Sequence, residues 1–414
     1  MSIGKYLLHY AESEINFVHN LIHQWQHVVC IPAFDEAETL PLLLESLSKN
    51  NKLLVILVLN SPVSATNTDA SFRTQKLAEL IKQQFSLQKI INDECELRQL
   101  NNNGSDLLLL QNYSIPDKQG VGLARKIACD IACQLIHDNK ILSPWIHNTD
   151  ADVDLPADYL AGTLQLNNDT AAALYPFSHK INHQSKSQRS LQLYEYSLHY
   201  YVEALRWAAS PYAFHSIGST LLLHHKHYAL ARGFPRRAAG EDFYLLNKLK
   251  KIGEIQSLSK PFITLSGRSS SRVPFGTGPA INKINELKNS EADYLFYHPQ
   301  CFLYLKKWLS LLPSLWQGNE LEELLQDKLL FKSLVDIGVN KSISHARENS
   351  KDQAGFNKHM HNWFDSFKTL KLIHNLRNRE LGSINIQQLQ NYKNEFPFIA
   401  KAENAQKMNA RNAH

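Results

Sequence analysis

From residue 27 onward, apolar runs of strand length alternate with stretches whose large aliphatic residues recur at helical spacing. Few architectures accept that alternation. Residues 27–31 are β-rich and halt at Pro32, residues 53–59 form an unbroken apolar run closed by Asn60-Ser61-Pro62, and 107–110 and 142–146 are shorter runs of the same kind. Between them, residues 39–48 place Leu40, Leu43, Leu44 and Leu47 on one helical face, 71–85 reads as helix, and 121–136 aligns Ile127, Ala128, Ile131 and Leu135. Repeated βα units predict an α/β domain with a mostly parallel sheet covered by helices. Near residue 286 the chain becomes rich in Lys, Asn, Gln and Leu, with helical periodicity over 320–335 and 357–376 and no strand pattern of comparable strength. The predicted organisation is an N-terminal helical extension (1–26), the α/β domain (27–285), a helical C-terminal domain (286–400) and a polar tail (401–414) without fixed structure.

The 414 residues can bury a substantial core, and 43% hydrophobic with 20% charged residues describes an ordinary globular chain. A formal charge of +5, without a long basic run, gives no argument for nucleic acid as a partner. Cys30, Cys95, Cys129, Cys133 and Cys301 are few, odd in number and scattered, which points to reduced thiols and a cytoplasmic location. Cys129 and Cys133, four apart on a helix, read as small core residues. The N-terminal apolar stretch is too short for a signal peptide, and no run approaches 18 apolar residues, so no transmembrane segment is expected. Residues 301–316 are apolar and aromatic around Lys306 and Lys307, a pattern that fits a packed amphipathic helix and leaves peripheral membrane contact open.

The chemistry concentrates first in Asn148-Thr149-Asp150-Ala151-Asp152-Val153-Asp154-Leu155-Pro156, where three acids alternate behind the apolar run 142–146. That position is the C-terminal end of a strand, the edge at which open α/β sheets bind ligands. Clustered carboxylates repel unless a cation or solvent intervenes, and oxygen donors suit Mg²⁺ or Mn²⁺ holding substrate phosphates. A solvated acidic turn has the same composition.

Four ordered motifs separate these readings. The first loop runs Ile31-Pro32-Ala33-Phe34-Asp35-Glu36-Ala37-Glu38-Thr39-Leu40; the second is Gly120-Val121-Gly122-Leu123-Ala124-Arg125-Lys126. Asp150-Ala151-Asp152 precedes Leu155-Pro156 and Tyr159-Leu160, and Gly218-Ser219, Gly233-Phe234-Pro235 and Gly240-Glu241-Asp242-Phe243 follow. Over residues 27 to 255 this resembles the family-2 glycosyltransferases. The resemblance implies a GT-A-type, Rossmann-like, mostly parallel sheet with helices on both faces, here with a C-terminal α-helical domain added. It also implies a soluble, metal-dependent hexosyltransferase-type enzyme that moves one sugar from a UDP- or GDP-sugar to a hydroxyl acceptor with inversion.

On that resemblance Pro32, Ala33 and Glu36 line the nucleotide pocket, and Asp152 with Asp150 holds Mn²⁺ or Mg²⁺, Asp150 turned more toward ribose or the metal's waters. Asp154 is a bystander that begins the next helix. Gly120 and Gly122 allow close backbone approach at a helix N-terminus that favours anions. Arg125 and Lys126 either add charge beside the nucleotide or form a solvated face. Asp242, with Glu241 as second choice, is the general base; read alone, the pair is an acidic N-terminus of the helix at 243–251.

The chain departs from the family at Asn60, where many members carry an acid, although an amide can still touch the nucleotide. It also lacks the Gln-x-x-Arg-Trp signature of processive synthases, which argues against polymer synthesis. In its place, Arg268 and Arg272 in a Gly/Ser-rich loop suit phosphate oxygens. His224, His225 and His227 lack ligand spacing on one helical face, and His215 lies nearer the expected site. A catalytically inactive sugar-nucleotide-binding or scaffold protein is the alternative. A nucleotidyltransferase is a further one, but the first loop is acidic rather than glycine-rich and basic.

Overall fold

A computed structural model describes residues 2–167, 169–180, 188–268 and 276–412. Strands β1 (His27–Ala33) and β2 (Leu53–Pro62) are buried along nearly their whole length, because both faces of the sheet are covered there. β1 continues through Pro32. The ladder between β1 and β6 (Trp145–Asn148) covers only Val28 to Cys30, so the missing proline N–H falls where β1 has a neighbour on one side only.

The remaining strands of this sheet are β3 (Leu87–Asn92), β4 (Cys95–Gln99), β5 (Asp106–Ile115), β7 (Thr170–Leu174), β9 (Leu221–His224) and β10 (Glu254–Ser257). Their order is β10-β7-β9-β6-β1-β2-β5-β4-β3. β8 (Phe177–His179) and β11 (Ile263–Leu265) form a separate parallel pair. The expectation of a mostly parallel sheet is corrected. β1–β2, β1–β6, β2–β5 and β7–β10 run parallel, whereas β3–β4, β4–β5, β6–β9 and β7–β9 run antiparallel. The fold is α/β with a mixed sheet, because β9 inserts antiparallel between β6 and β7 and the β3–β4 hairpin adds antiparallel to β5 at the edge.

Helix Gly120–His137 packs against β1, β2 and β6 and helix Asp69–Gln84 against β2, while helix Glu241–Lys250 meets β7 and β10. The chain divides into two compact units. The first comprises Met1–Lys180, Ser216–Pro279 and Asn409–His414; the second comprises Ile181–His215 and Ala280–Met408. Residues 188–215, expected inside the α/β domain, therefore belong with the C-terminal helices. Helix Gln188–Trp207 supplies Leu193, Tyr196, Tyr200 and Ala204 to their core.

The tail expected to lack structure from Lys401 is helical as Phe398–Asn412. Residues 1–26 are integral to the first unit, with Tyr6, Val18 and Trp25 buried. In the second unit the expected helix over 320–335 splits at Asp327, and that over 357–376 splits at Asp365. Each aspartate accepts two backbone N–H bonds at 3.1–3.2 Å and starts a new helix. Residues 301–316 form helices Gln300–Ser310 and Leu312–Trp316, whose Phe302, Trp308 and Leu315 are buried in this unit's own core. No helix among the described residues is long and apolar enough to cross a membrane.

Candidate active site

The strand ahead of the acidic turn is four residues long and shifted from expectation. Leu142 is exposed, and β6 runs to Asn148, so Asp150 stands two residues beyond the strand's end. Pro32 and Ala33 end β1 and are buried, as is Asn60 near the end of β2. These ends belong to the parallel strands β1, β2 and β6, the edge that parallel α/β sheets use for ligands.

Arg125 organises the acids here. It projects from the buried side of helix Gly120–His137 and is 4% exposed. Its Nε donates to Glu241 Oε1 at 2.8 Å, its Nη1 to the Gly218 carbonyl at 3.2 Å, and its Nη2 is paired with Asp150 Oδ1. Asn148 Nδ2 donates to the same Gly218 carbonyl at 2.7 Å. Residue 218 must be glycine for this arrangement, since a Cβ there would lie 2.5 Å from Arg125 Nη2.

Three sequence expectations change accordingly. Arg125 is not a solvated residue but a buried clamp between Asp150 and Glu241. Lys126 turns the other way, donating to Asp130 Oδ2 at 2.8 Å and Tyr6 Oη at 2.9 Å in a buried cluster that also receives Tyr228. The glycines approach the protein's own backbone: a Cβ on Gly122 would meet Pro235 O and Arg237 O at 2.5–2.6 Å, and one on Gly120 would meet Ala238 Cα at 2.7 Å. Gly122 N donates to Arg237 O at 2.9 Å and Gly120 N to Pro116 O at 3.1 Å, which occupies two of the N–H groups an anion would need.

A second arginine joins the remaining acids. Arg268, three residues past β11, pairs through Nη2 with Glu36 Oε1 and lies 3.2 Å from Asp152 Oδ2. Glu36 is buried, and its other oxygen accepts Thr39 Oγ1 at 2.8 Å. Its neighbour Asp35 forms a two-point pair with Arg73 at 2.6 and 2.8 Å, anchoring the loop to helix Asp69–Gln84. Arg272 lies outside the described residues. Asp154 starts no helix; it bridges Thr264 by backbone bonds at 2.8 and 3.1 Å and pairs with exposed Lys180.

Burial pushes the Asp242 carboxyl up to about 7, reinforced by the neighbouring charge of Glu241; Arg125 and the Phe243 N–H bond at 2.7 Å oppose the rise. Burial also raises Glu241, against the pull of Arg125. A carboxyl balanced near neutrality takes and returns a proton efficiently at neutral pH. The histidines offer no comparable chemistry. Burial lowers His224 to about 3, and His215 falls in the second unit beside His199.

Among the described residues no group of three or more His, Cys, Asp or Glu side chains is placed to hold a metal. Asp150 and Asp152 are partly exposed and fit a different kind of site, in which one or two carboxylates bind Mg²⁺ or Mn²⁺ and substrate phosphates complete the sphere. Asn148 and Gly218, which stand within the sequence motifs without an assigned role, complete the Arg125 network through the Gly218 carbonyl. Arg125 carried a signal: it shares a helical face with Ala128 and Ala132, three and seven residues on, so its side chain had to enter the core.

No protein-family model and no curated protein matches the chain. Among solved structures it is similar to the Staphylococcus aureus TarS fragment 1–349 in complex with UDP-GlcNAc, at 14% identity over 82% of this chain and 91% of that one, TM-score 0.38. It is also similar to the mannosyltransferase PcManGT of Pyrobaculum calidifontis in complex with GDP-Man and Mn²⁺, at 13% identity over 91% and 96% of the two chains, TM-score 0.35. Identities and TM-scores this low establish neither a family nor a chemistry for this chain.

Proposed function

We propose that the chain transfers a single sugar from a UDP- or GDP-sugar to a hydroxyl acceptor, with inversion at the anomeric carbon and with Mn²⁺ or Mg²⁺ at Asp150 and Asp152. The observation that carries this reading is the Arg125 clamp, which fixes a strand-end acid, Asp150, to the Glu241-Asp242 pair. The clamp links three of the four sequence motifs, and the first loop is tied to Asp152 through Glu36 and Arg268. A divalent cation bound at Asp150 and Asp152 supplies positive charge for the departing diphosphate.

The chain's own groups do the rest. Glu241 remains engaged with Arg125, which leaves Asp242 to accept the acceptor's hydroxyl proton as the oxygen bonds to the anomeric carbon. The electron pair of the breaking bond leaves with the nucleoside diphosphate. Pro32, Ala33, Glu36 and Asn60 border the strand ends where the nucleotide would lie, and Arg268, with Arg272 four positions on in the sequence, would meet its phosphates. All five cysteines are buried free thiols, which suits a reducing, cytoplasmic setting.

The test is a screen of UDP- and GDP-sugars with Mn²⁺ or Mg²⁺, read as nucleoside diphosphate release with and without hydroxyl acceptors. Metal-dependent release is expected for at least one donor. Failure of UDP and GDP to bind in titration calorimetry, with either cation, overturns the reading.

A further inference from the structure

The donor reading gives Asp152 to the cation and Arg268 to the phosphates, yet the structure pairs these two residues with each other. Arg268 Nη2 sits 3.2 Å from Asp152 Oδ2 while also bound to Glu36. Three separate segments converge: the loop after β1, the turn after β6 and the segment that follows β11. Glu36 is held by Thr39, so the guanidinium docks on a fixed acid.

The two site arginines differ in a way that matters. The Arg125 side chain is 5% exposed and locked by three partners, whereas that of Arg268 is 35% exposed and stands at the margin. Arg125 therefore cannot exchange partners without burying unpaired charge, and Arg268 can.

We propose that Arg268 is the built-in counter-cation of the donor site, displaced from Asp152 by a divalent cation far more readily when a nucleoside diphosphate arrives to receive the guanidinium. This rests on the donor reading above. A bare Mn²⁺ approaching Asp152 meets the positive charge of Arg268 at close range, where repulsion is weakly screened. A diphosphate carries at least two negative charges, so cation and nucleotide enter together as a nearly neutral pair. The guanidinium then trades carboxylate oxygens for phosphate oxygens, which its fork of donors fits equally well. Cation and nucleotide binding are thereby positively coupled, and the coupling is reciprocal.

The experiment measures Mn²⁺ binding to the full chain, by calorimetry and by the EPR signal of free Mn²⁺, with UDP or GDP absent or present. Wild type is expected to bind Mn²⁺ alone weakly, with the matching nucleotide tightening it by about tenfold or more. Arg268→Gln is expected to bind Mn²⁺ alone about tenfold more tightly, with little further gain from nucleotide. Arg268→Lys keeps the charge and retains weak binding, which covers the case of a misfolded glutamine variant; Asp152→Asn loses the gain and places the ion. Equal or weaker binding of Mn²⁺ alone to well-folded Arg268→Gln overturns the exchange. If wild type still binds Mn²⁺ with nucleotide, only the exchange falls. If no protein binds Mn²⁺ with either nucleotide, the donor reading falls with it.

Discussion

Replacing Asp242 with asparagine is expected to abolish transfer and, above neutral pH, to make the protein more stable. The folded chain holds this carboxyl at about 7 against an ordinary value of 3.8, because it is buried beside Glu241. The folded state therefore binds the proton more tightly than the unfolded state, and wild-type stability from this group falls as pH rises between those values. At 1.36 kcal/mol per unit, the penalty reaches about 4 kcal/mol at pH 8 and stays below about 2 kcal/mol at pH 5. Solvent reaching the partly exposed side chain screens both figures, so they are ceilings. Asparagine keeps the shape and carries no charge, so the penalty disappears. Paired urea titrations of wild type and Asp242→Asn at pH 5 and pH 8 read the difference. The variant's advantage is expected to be larger at pH 8 by about 1–2 kcal/mol. An advantage equal at both pH values, or a variant less stable at pH 8, refutes the assignment of a raised carboxyl at this position. Retained wild-type transfer removes Asp242 as the base whatever the stability shows.

Two further substitutions probe the frame. Gly218→Ala places a methyl group against the Arg125 guanidinium and is expected to cost about 1–3 kcal/mol in thermal or urea unfolding, with transfer reduced; an unperturbed variant would mean that Arg125 is not held there. Asp327→Ala removes the cap of helix Lys328–Val335 in the second unit and is expected to cost about 1 kcal/mol while leaving nucleotide binding unchanged. Loss of nucleotide binding in that folded variant would contradict a donor site built wholly from the first unit.

The central strands were legible because residues 28–30, 53–59 and 107–110 are buried on both faces and so appear as unbroken apolar runs. The hairpin of β3 and β4 was not, since β3 is an exposed edge with Leu87 and Ile90 open to solvent and therefore no burial pattern. Residues 142–146 misled because Leu142 is apolar but exposed, which displaced the expected strand toward the N-terminus. The division that assigns 188–215 to the helical unit depends on partners from Ala280 onward, at least 65 positions away in sequence and beyond the reach of local periodicity. In the site, the acids stood out as residue types, and their pairing did not. Arg125 and Lys126 look alike in sequence, yet adjacent positions on a helix point about 100° apart, one into the acid cluster and the other toward Tyr6 and Asp130.

The Arg125 clamp also fixes when the site can form. Its partners Asp150, Gly218 and Glu241 lie 25, 93 and 116 residues further along the chain. During synthesis, the helix that carries this guanidinium is complete long before two of its three partners have left the ribosome, and burying the charge early would leave it uncompensated. Asp150 can pair with the guanidinium early, but the full set of partners is complete only once residue 241 has emerged. Asp150 and Glu241, far apart in sequence, are therefore joined only when the last of these segments is in place.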